Sequence, residues 1–166
     1  MADTPGFREL LRTLNENEAE YLIVGGYAVM KYTEPRFTKD LDLWIGNSSE
    51  NAARVYRALA EFGAPLQKDG LAPADFTSED ITYQIGVPPV RIDVLPPVRI
   101  DVLTHISGVR FAEAWQNRVA STFFGLPVHF ISRNDLIINK RAAGRSSDLE
   151  QLEHLQGGTA KDGGKE

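Results

Sequence analysis

No cysteine occurs in the 166 residues, which removes a disulfide framework and any thiolate metal site. No apolar run approaches the ~20 residues needed to span a bilayer, so no membrane partner is expected. The first residues, Met1 to Gly6, hold neither a basic stretch nor an apolar one. No signal peptide is therefore expected, and the cytoplasm is the expected compartment. An excess of positive charge is missing too: 18 Lys and Arg face 23 Asp and Glu, for a net charge of -5. Proteins that grip many nucleic-acid phosphates carry a basic face, so broad contact with nucleic acid is disfavoured. An acidic balance instead suits a small cationic partner. Neither G-x-x-x-x-G-K-[ST] nor G-x-G-x-x-G occurs, which sets aside two common phosphate-binding loops.

What is present is an ordinary globular composition, 42% apolar and 25% charged, in a length suited to one domain. Phe7, Leu10, Leu11 and Leu14 have helical spacing. Residues 21–24 read as a short buried strand broken by Gly25-Gly26, with a short helix over 27–31. Residues 41–45 read as a second strand, and Ser48 as the cap of a helix over 51–62. Residues 63–75, with Pro65, Gly70 and Pro73, read as a loop. A strand follows at 81–85 and a helix at 111–117. Residues 119–124 and 128–131 read as a hairpin turning at Gly125-Leu126-Pro127. Helices over 134–143 and 147–155 are parted by Gly144. Strands that alternate with helices, then form a hairpin, predict an α/β (α+β) domain with a mixed sheet flanked by helices. The domain is expected over residues 1–155, with 156–166 a Gly- and charge-rich disordered tail.

Residues 88–95, PPVRIDVL, are followed at once by the same eight residues at 96–103. Identity over a whole unit marks a recent duplication, and two units are too few for a solenoid. The unit length is even, so a slide by one unit keeps every side chain on its face. Either copy can fill one strand position, and the other becomes loop or lengthens a hairpin.

Asp40 and Asp42 stand at i and i+2 on a predicted strand, so their side chains share a face. Leu41, Leu43 and Ile45 share the other and are expected in the core. Two adjacent carboxylates repel unless a cation sits between them. Hard oxygen ligands favour Mg²⁺. The alternative is a half-exposed strand with two surface acids. Gly25-Gly26 closes a strand and opens a helix, a place where backbone N–H groups can meet a phosphate. Either glycine could equally serve packing or a positive φ. The repeated strand supplies Asp93 and Asp101, one of them a third acid of the kind a two-metal phosphoryl-transfer site uses. An Arg99–Asp101 surface pair is the plainer reading. Lys140, Arg141 and Arg145 form the densest basic stretch, though a helical lysine is more often a solvated charge. His105, His129 and His154 show no metal-ligand spacing. Trp44 shares the Asp40/Asp42 face and is expected to border a cleft, while Trp115 is expected in the core.

The segments VGGYAV, TKDLDLWI and RIDVLTHISG resemble the glycine, double-acid and third-acid motifs of the polymerase-beta-type nucleotidyltransferases, in their small single-domain bacterial branch. Residues 136–148, LIINKRAAGRSSD, resemble the helical lysine segment of the abortive-infection nucleotidyltransferase toxins. The likeness runs from about Tyr21 to Leu155. It implies a polymerase-beta-like fold, an NTP co-substrate and Mg²⁺, two ions by the two-metal pattern. It further implies that Gly25, Gly26, Lys140 and Arg145 bind the nucleotide and that Asp40 and Asp42 hold metal. Asp101 or Asp93 would be the third carboxylate, and Asp148 would position one of the bases. Asp101 is preferred, because the extra unit then only enlarges a hairpin turn. The implied reaction is nucleotide transfer, AMP from ATP, to a hydroxyl of a small cationic acceptor such as an aminoglycoside antibiotic. A second reading is a toxin of a toxin–antitoxin or phage-defence pair that modifies tRNA or a protein and is held by an antitoxin protein. A third is a non-catalytic nucleotide-binding module.

Overall fold

The computed structural model describes residues 5–35, 38–87 and 98–157. Two amphipathic helices, α1 (Pro5–Glu16) and α3 (Ser49–Phe62), pack against each other. Phe7, Leu10, Leu11 and Leu14 of α1 are all buried, as their spacing requires. Ser48 caps α3 by accepting a hydrogen bond from the Asn51 backbone N–H at 3.1 Å. Gly63, at φ +103°, ends the same helix, a conformation that glycine adopts without strain. Asn51 ties this corner together. Its amide donates to the carbonyls of Gly46 and Glu20 and accepts from the Glu20 N–H.

Six strands form one sheet: β1 (Tyr21–Val24), β2 (Asp40–Ile45), β3 (Thr82–Val87), β4 (Val98–Leu103), β5 (Val119–Phe123) and β6 (Leu126–Phe130). Their order is β3-β4-β2-β1-β6-β5. The β2–β4 and β1–β6 pairs are parallel and the others antiparallel, so the expected mixed sheet is present. Helix α2 (Gly25–Tyr32) follows β1 without a loop, and α4 (Phe111–Gln116), α5 (Arg133–Ala143) and α6 (Ser146–Gly157) complete the domain. Leu41, Leu43 and Ile45 are buried on β2, as the alternation predicts. Among the described residues no helix is long and apolar enough to cross a membrane. The expected tail begins inside α6, which continues to Gly157; residues 158–166 lie outside the described residues.

One turn differs from expectation. The β5–β6 hairpin turns at Phe124-Gly125, with φ of 53° and 77°, and Leu126 and Pro127 belong to the strand. Positive φ at both central residues is the two-residue turn that matches strand twist. Pro127 pairs with Thr122, one step beyond the hydrogen-bonded pair that closes such a turn. Its missing N–H therefore costs nothing towards β5. The register of β6 on β1 is at Phe130 opposite Ile23, away from Pro127.

The second copy of the repeat forms β4, and the first, with Asp93, lies outside the described residues. The β3–β4 ladder ends at Val87 opposite Val98. Deleting residues 88–95 would leave only two prolines between those partners. Two-residue hairpins need positive φ, and proline is locked near -65°. The single-copy chain must open the Val87–Val98 and Gly86–Arg99 end of the ladder. Each net hydrogen bond lost costs ~1 kcal/mol, and each halving of the loop returns ~0.6 kcal/mol. The deletion variant is expected to fold with stability within about 1 kcal/mol of the full chain, as read by urea unfolding. Hydrogen exchange should show lost protection confined to that end of the ladder.

Candidate active site

Strand pairing brings the acids together. Asp42 lies opposite Asp101 in the parallel β2–β4 pair and opposite Val24 in the antiparallel β1–β2 pair. Val24 leads directly into Gly25, so the carboxylate of Asp42 rests against the start of α2. A Cβ on Gly25 would sit 2.0 Å from Asp42 Oδ2, and Gly25 has φ +69°. Both facts require glycine there. A Cβ on Gly26 would lie 2.8 Å from Thr38 Oγ1. No side chain caps the start of α2, which leaves its first N–H groups available to an anion.

Arg99 spans two of the acids. Its Nε donates to Asp101 Oδ1 at 2.8 Å and its Nη2 to Asp40 Oδ2 at 3.2 Å. The other Asp40 oxygen, Oδ1, is buried with no hydrogen-bond partner. The carboxyl of Asp42 is pushed up to about 7, first by burial and then by the charges of Asp101 and Asp40 and a hydrogen bond with Asp101. Lys140 opposes that rise. Among the described residues no three His, Cys, Asp or Glu side chains stand as a ready metal cage. The donor set still fits a hard cation. It consists of carboxylate oxygens, one of them orphaned, and one carboxyl is raised by burial and by its acidic neighbours, which a cation would offset. Arg99 now supplies part of the counter-charge and would have to release Asp40 and Asp101 for a cation to take them.

Raised above 3.8 in the folded chain, Asp42 binds its proton more tightly than in the unfolded chain. The stability this contributes is full below 3.8 and is lost as pH rises through about 7. In metal-free buffer the melting temperature of wild type should fall across that window more steeply than that of Asp42→Asn. Parallel pH profiles by calorimetry would contradict the assignment.

The basic side of the site comes from α5 and the turn that joins it to α6. Ser132 caps α5, and Gly144 closes it at φ +66°, which turns the chain so that α6 packs on α5. Asp148, 1% exposed, is the hub. Lys140 Nζ lies 3.3 Å from its Oδ1, Arg145 Nε lies 2.5 Å from Oδ2, and the Arg145 backbone N–H donates to Oδ2 at 3.2 Å. Burial pushes the Asp148 carboxyl up, but its bonds to Arg145 and the charge of Lys140 outweigh that and hold it below the usual range. Asp148 thus bonds both bases, where the sequence pointed to one.

A cleft of about 380 Å³ is lined by Gly25, Asp42, His105, Lys140 and Arg145 among others. Four of the expected nucleotide- and metal-binding residues, Gly25, Asp42, Lys140 and Arg145, therefore share one cavity. Asp101 and Asp40 adjoin it through the strand ladder and Arg99, and Gly26 faces Thr38. Trp44 does not border this cleft. It is 1% exposed and stands edge-on to Phe111, with ring centroids 5.2 Å apart. Trp115, expected in the core, is only partly buried; it stacks on Phe111 and carries the Arg118 guanidinium over its ring. The reach of Arg99 to Asp40 was hidden in the sequence, because it depends on β4 pairing with β2.

The mixed sheet, the strand-borne acids, the glycine turn against them and the buried lysine are the features that the nucleotidyltransferase resemblance leads one to expect. Residues 7–156 match the model of a family described as nucleotidyltransferase of unknown function, DUF6036, and the chain belongs to that family. No curated protein sequence matches the chain. Among solved structures, the lincosamide antibiotic adenylyltransferase LnuA, with lincomycin bound, is similar. Its TM-score is 0.52 at 11% identity, over 93% of this chain and 97% of that one. At that identity the likeness is one of fold.

Proposed function

We propose that the chain transfers AMP from ATP to a hydroxyl of a small organic cation, with Mg²⁺ held by Asp40, Asp42 and Asp101. The observation that carries this reading is the set of three strand-borne carboxylates beside the uncapped start of α2 and the Lys140 cleft. Bound Mg²⁺ would neutralise charge on the triphosphate and on the entering and leaving oxygens. Gly25 and Gly26 offer backbone N–H groups to the phosphates, and Lys140 of α5 and Arg145 of the α5–α6 turn add positive charge. The acceptor oxygen forms a bond to the α-phosphorus as the bond from that phosphorus to the leaving pyrophosphate breaks. The hydroxyl proton passes to a carboxylate of the cluster, Asp101 being the candidate. Two things support the choice of donor and acceptor: the fold likeness to an adenylyltransferase of a small antibiotic and the net charge of -5.

The test is pyrophosphate release from ATP, GTP, CTP and UTP with Mg²⁺, against aminoglycosides, lincomycin and bulk tRNA, with Asp42→Asn beside the wild type. Release that needs ATP and a cationic small acceptor, and vanishes in Asp42→Asn, is the expected result. Release that needs tRNA, with growth arrest on expression, would replace this reading with that of a toxin. ATP binding with no release under any acceptor would leave a non-catalytic nucleotide-binding module.

A further inference from the structure

Beyond the cleft lies a second opening of about 960 Å³, which meets it at His105 and Ile106. None of the three carboxylates or the two bases lines this chamber. Its wall includes Trp44, whose Nε1 is buried without a hydrogen-bond partner. A buried donor left unpaired is rare and calls for an acceptor. Phe111, Ile106 and Val109 add apolar surface to the same wall, and Glu79 and Asp80 stand in its lining. Arg110 is there too, but its guanidinium is engaged by Glu113 at 2.8 Å. The charge left uncompensated is negative.

We infer that this chamber is the acceptor subsite of the transfer proposed above, and that it takes a hydroxylated organic cation with one apolar face. The inference rests on that transfer reading. Polyanionic ATP is drawn to the Lys140 and Arg145 side of the cleft and repelled by Glu79 and Asp80. An organic cation has the opposite preference. Its apolar face lies on Phe111 and Ile106, and one of its oxygens accepts from Trp44 Nε1. Trp44 follows Asp42 by two residues on β2, so the two side chains share a face roughly 7 Å apart. A hydroxyl on a molecule seated against Trp44 is within reach of the carboxylates. The volume matches what a drug-sized ligand fills, roughly 300–1,000 Å³.

The experiment is calorimetric titration of the full chain with kanamycin, with an uncharged trisaccharide and, separately, with ATP. The variants are Glu79→Gln combined with Asp80→Asn, and Trp44→Phe, which keeps a ring and deletes the donor. The doubly neutralised variant is expected to bind kanamycin about tenfold more weakly. Its ATP affinity should stay within about twofold of wild type. Trp44→Phe should weaken kanamycin too, and the trisaccharide should bind far less well than kanamycin to the wild type. Unchanged kanamycin affinity in the double variant, no kanamycin binding to the wild type, or a loss of ATP affinity instead would each overturn the assignment. Because Glu79 and Asp80 are exposed, the double variant remains informative if Trp44→Phe does not fold. Chamber-dependent kanamycin binding without Asp42-dependent pyrophosphate release would overturn the transfer reading and leave the chamber's ligand class standing.

Discussion

Asp101→Asn should lower nucleotide transfer by on the order of a thousandfold or more, while Asp93→Asn leaves it within about twofold. The two residues sit in identical octapeptides, so no local chemistry separates them. The place of Asp101 in the sheet carries the prediction. Asp101 is 9% exposed, lies opposite Asp42 and is held by Arg99 at 2.8 Å. Asparagine keeps the size of the side chain and one acceptor oxygen, so the fold should persist. What it removes is a charge needed to hold a cation and an oxygen able to take the acceptor's proton. A second readout follows from the electrostatics. Asp101 is one of the two charges that raise the Asp42 carboxyl, so Asp101→Asn should bring that carboxyl back towards the ordinary range, measurable by carboxyl NMR titration. Equal loss of transfer in Asp93→Asn and Asp101→Asn would mean that both copies act in the reaction. Loss in Asp93→Asn alone would put the first copy in the working strand.

Features governed by neighbours within a few residues were legible in the sequence. The Ser48 cap, the Gly144 stop, the helical stripe of α1 and the shared face of Asp40 and Asp42 all follow from local geometry. Features set by strand order were not. The sequence shows Arg99 beside Asp101, and only the parallel pairing of β2 with β4 places Asp40 opposite Arg99. The face of Trp44 follows from the strand alternation, but which opening it borders does not, because α4 folds over the far end of that face and sets Phe111 on the indole. The chamber is not legible in the sequence for the same reason. Residues 79–80, 104–106 and 109–112 have nothing in common in sequence and meet only in the fold. The hairpin turns at Phe124-Gly125 rather than at Pro127, although proline is a common turn residue. The pairing pattern gives that proline a strand position where its N–H is not needed.

Asp148→Ala is expected to destabilise the protein by about 3–5 kcal/mol. Lys140 and Asp148 side chains are 8% and 1% exposed and lie 3.3 Å apart. Removing the carboxylate strands a buried ammonium, and the penalty is that of an uncompensated charge rather than the worth of the pair. Arg145 is bonded to the same carboxylate, but its side chain is 74% exposed. Arg145→Ala should therefore cost no more than about 1 kcal/mol. Replacing both buried partners, Lys140→Met with Asp148→Leu, should recover most of the stability, because apolar side chains of similar volume carry no desolvation cost. Transfer should not recover with it. The double variant leaves the cleft without its buried cation, and Lys140 is the group that opposes the rise of the Asp42 carboxyl. Urea unfolding and pyrophosphate release, measured on the same three variants, separate the two roles. Stability restored without activity assigns Lys140 to the phosphates, with Asp148 as the residue that positions it. Stability and activity restored together would mean that the pair serves only the fold and that the cation acting on ATP lies elsewhere, with Arg145 next in line.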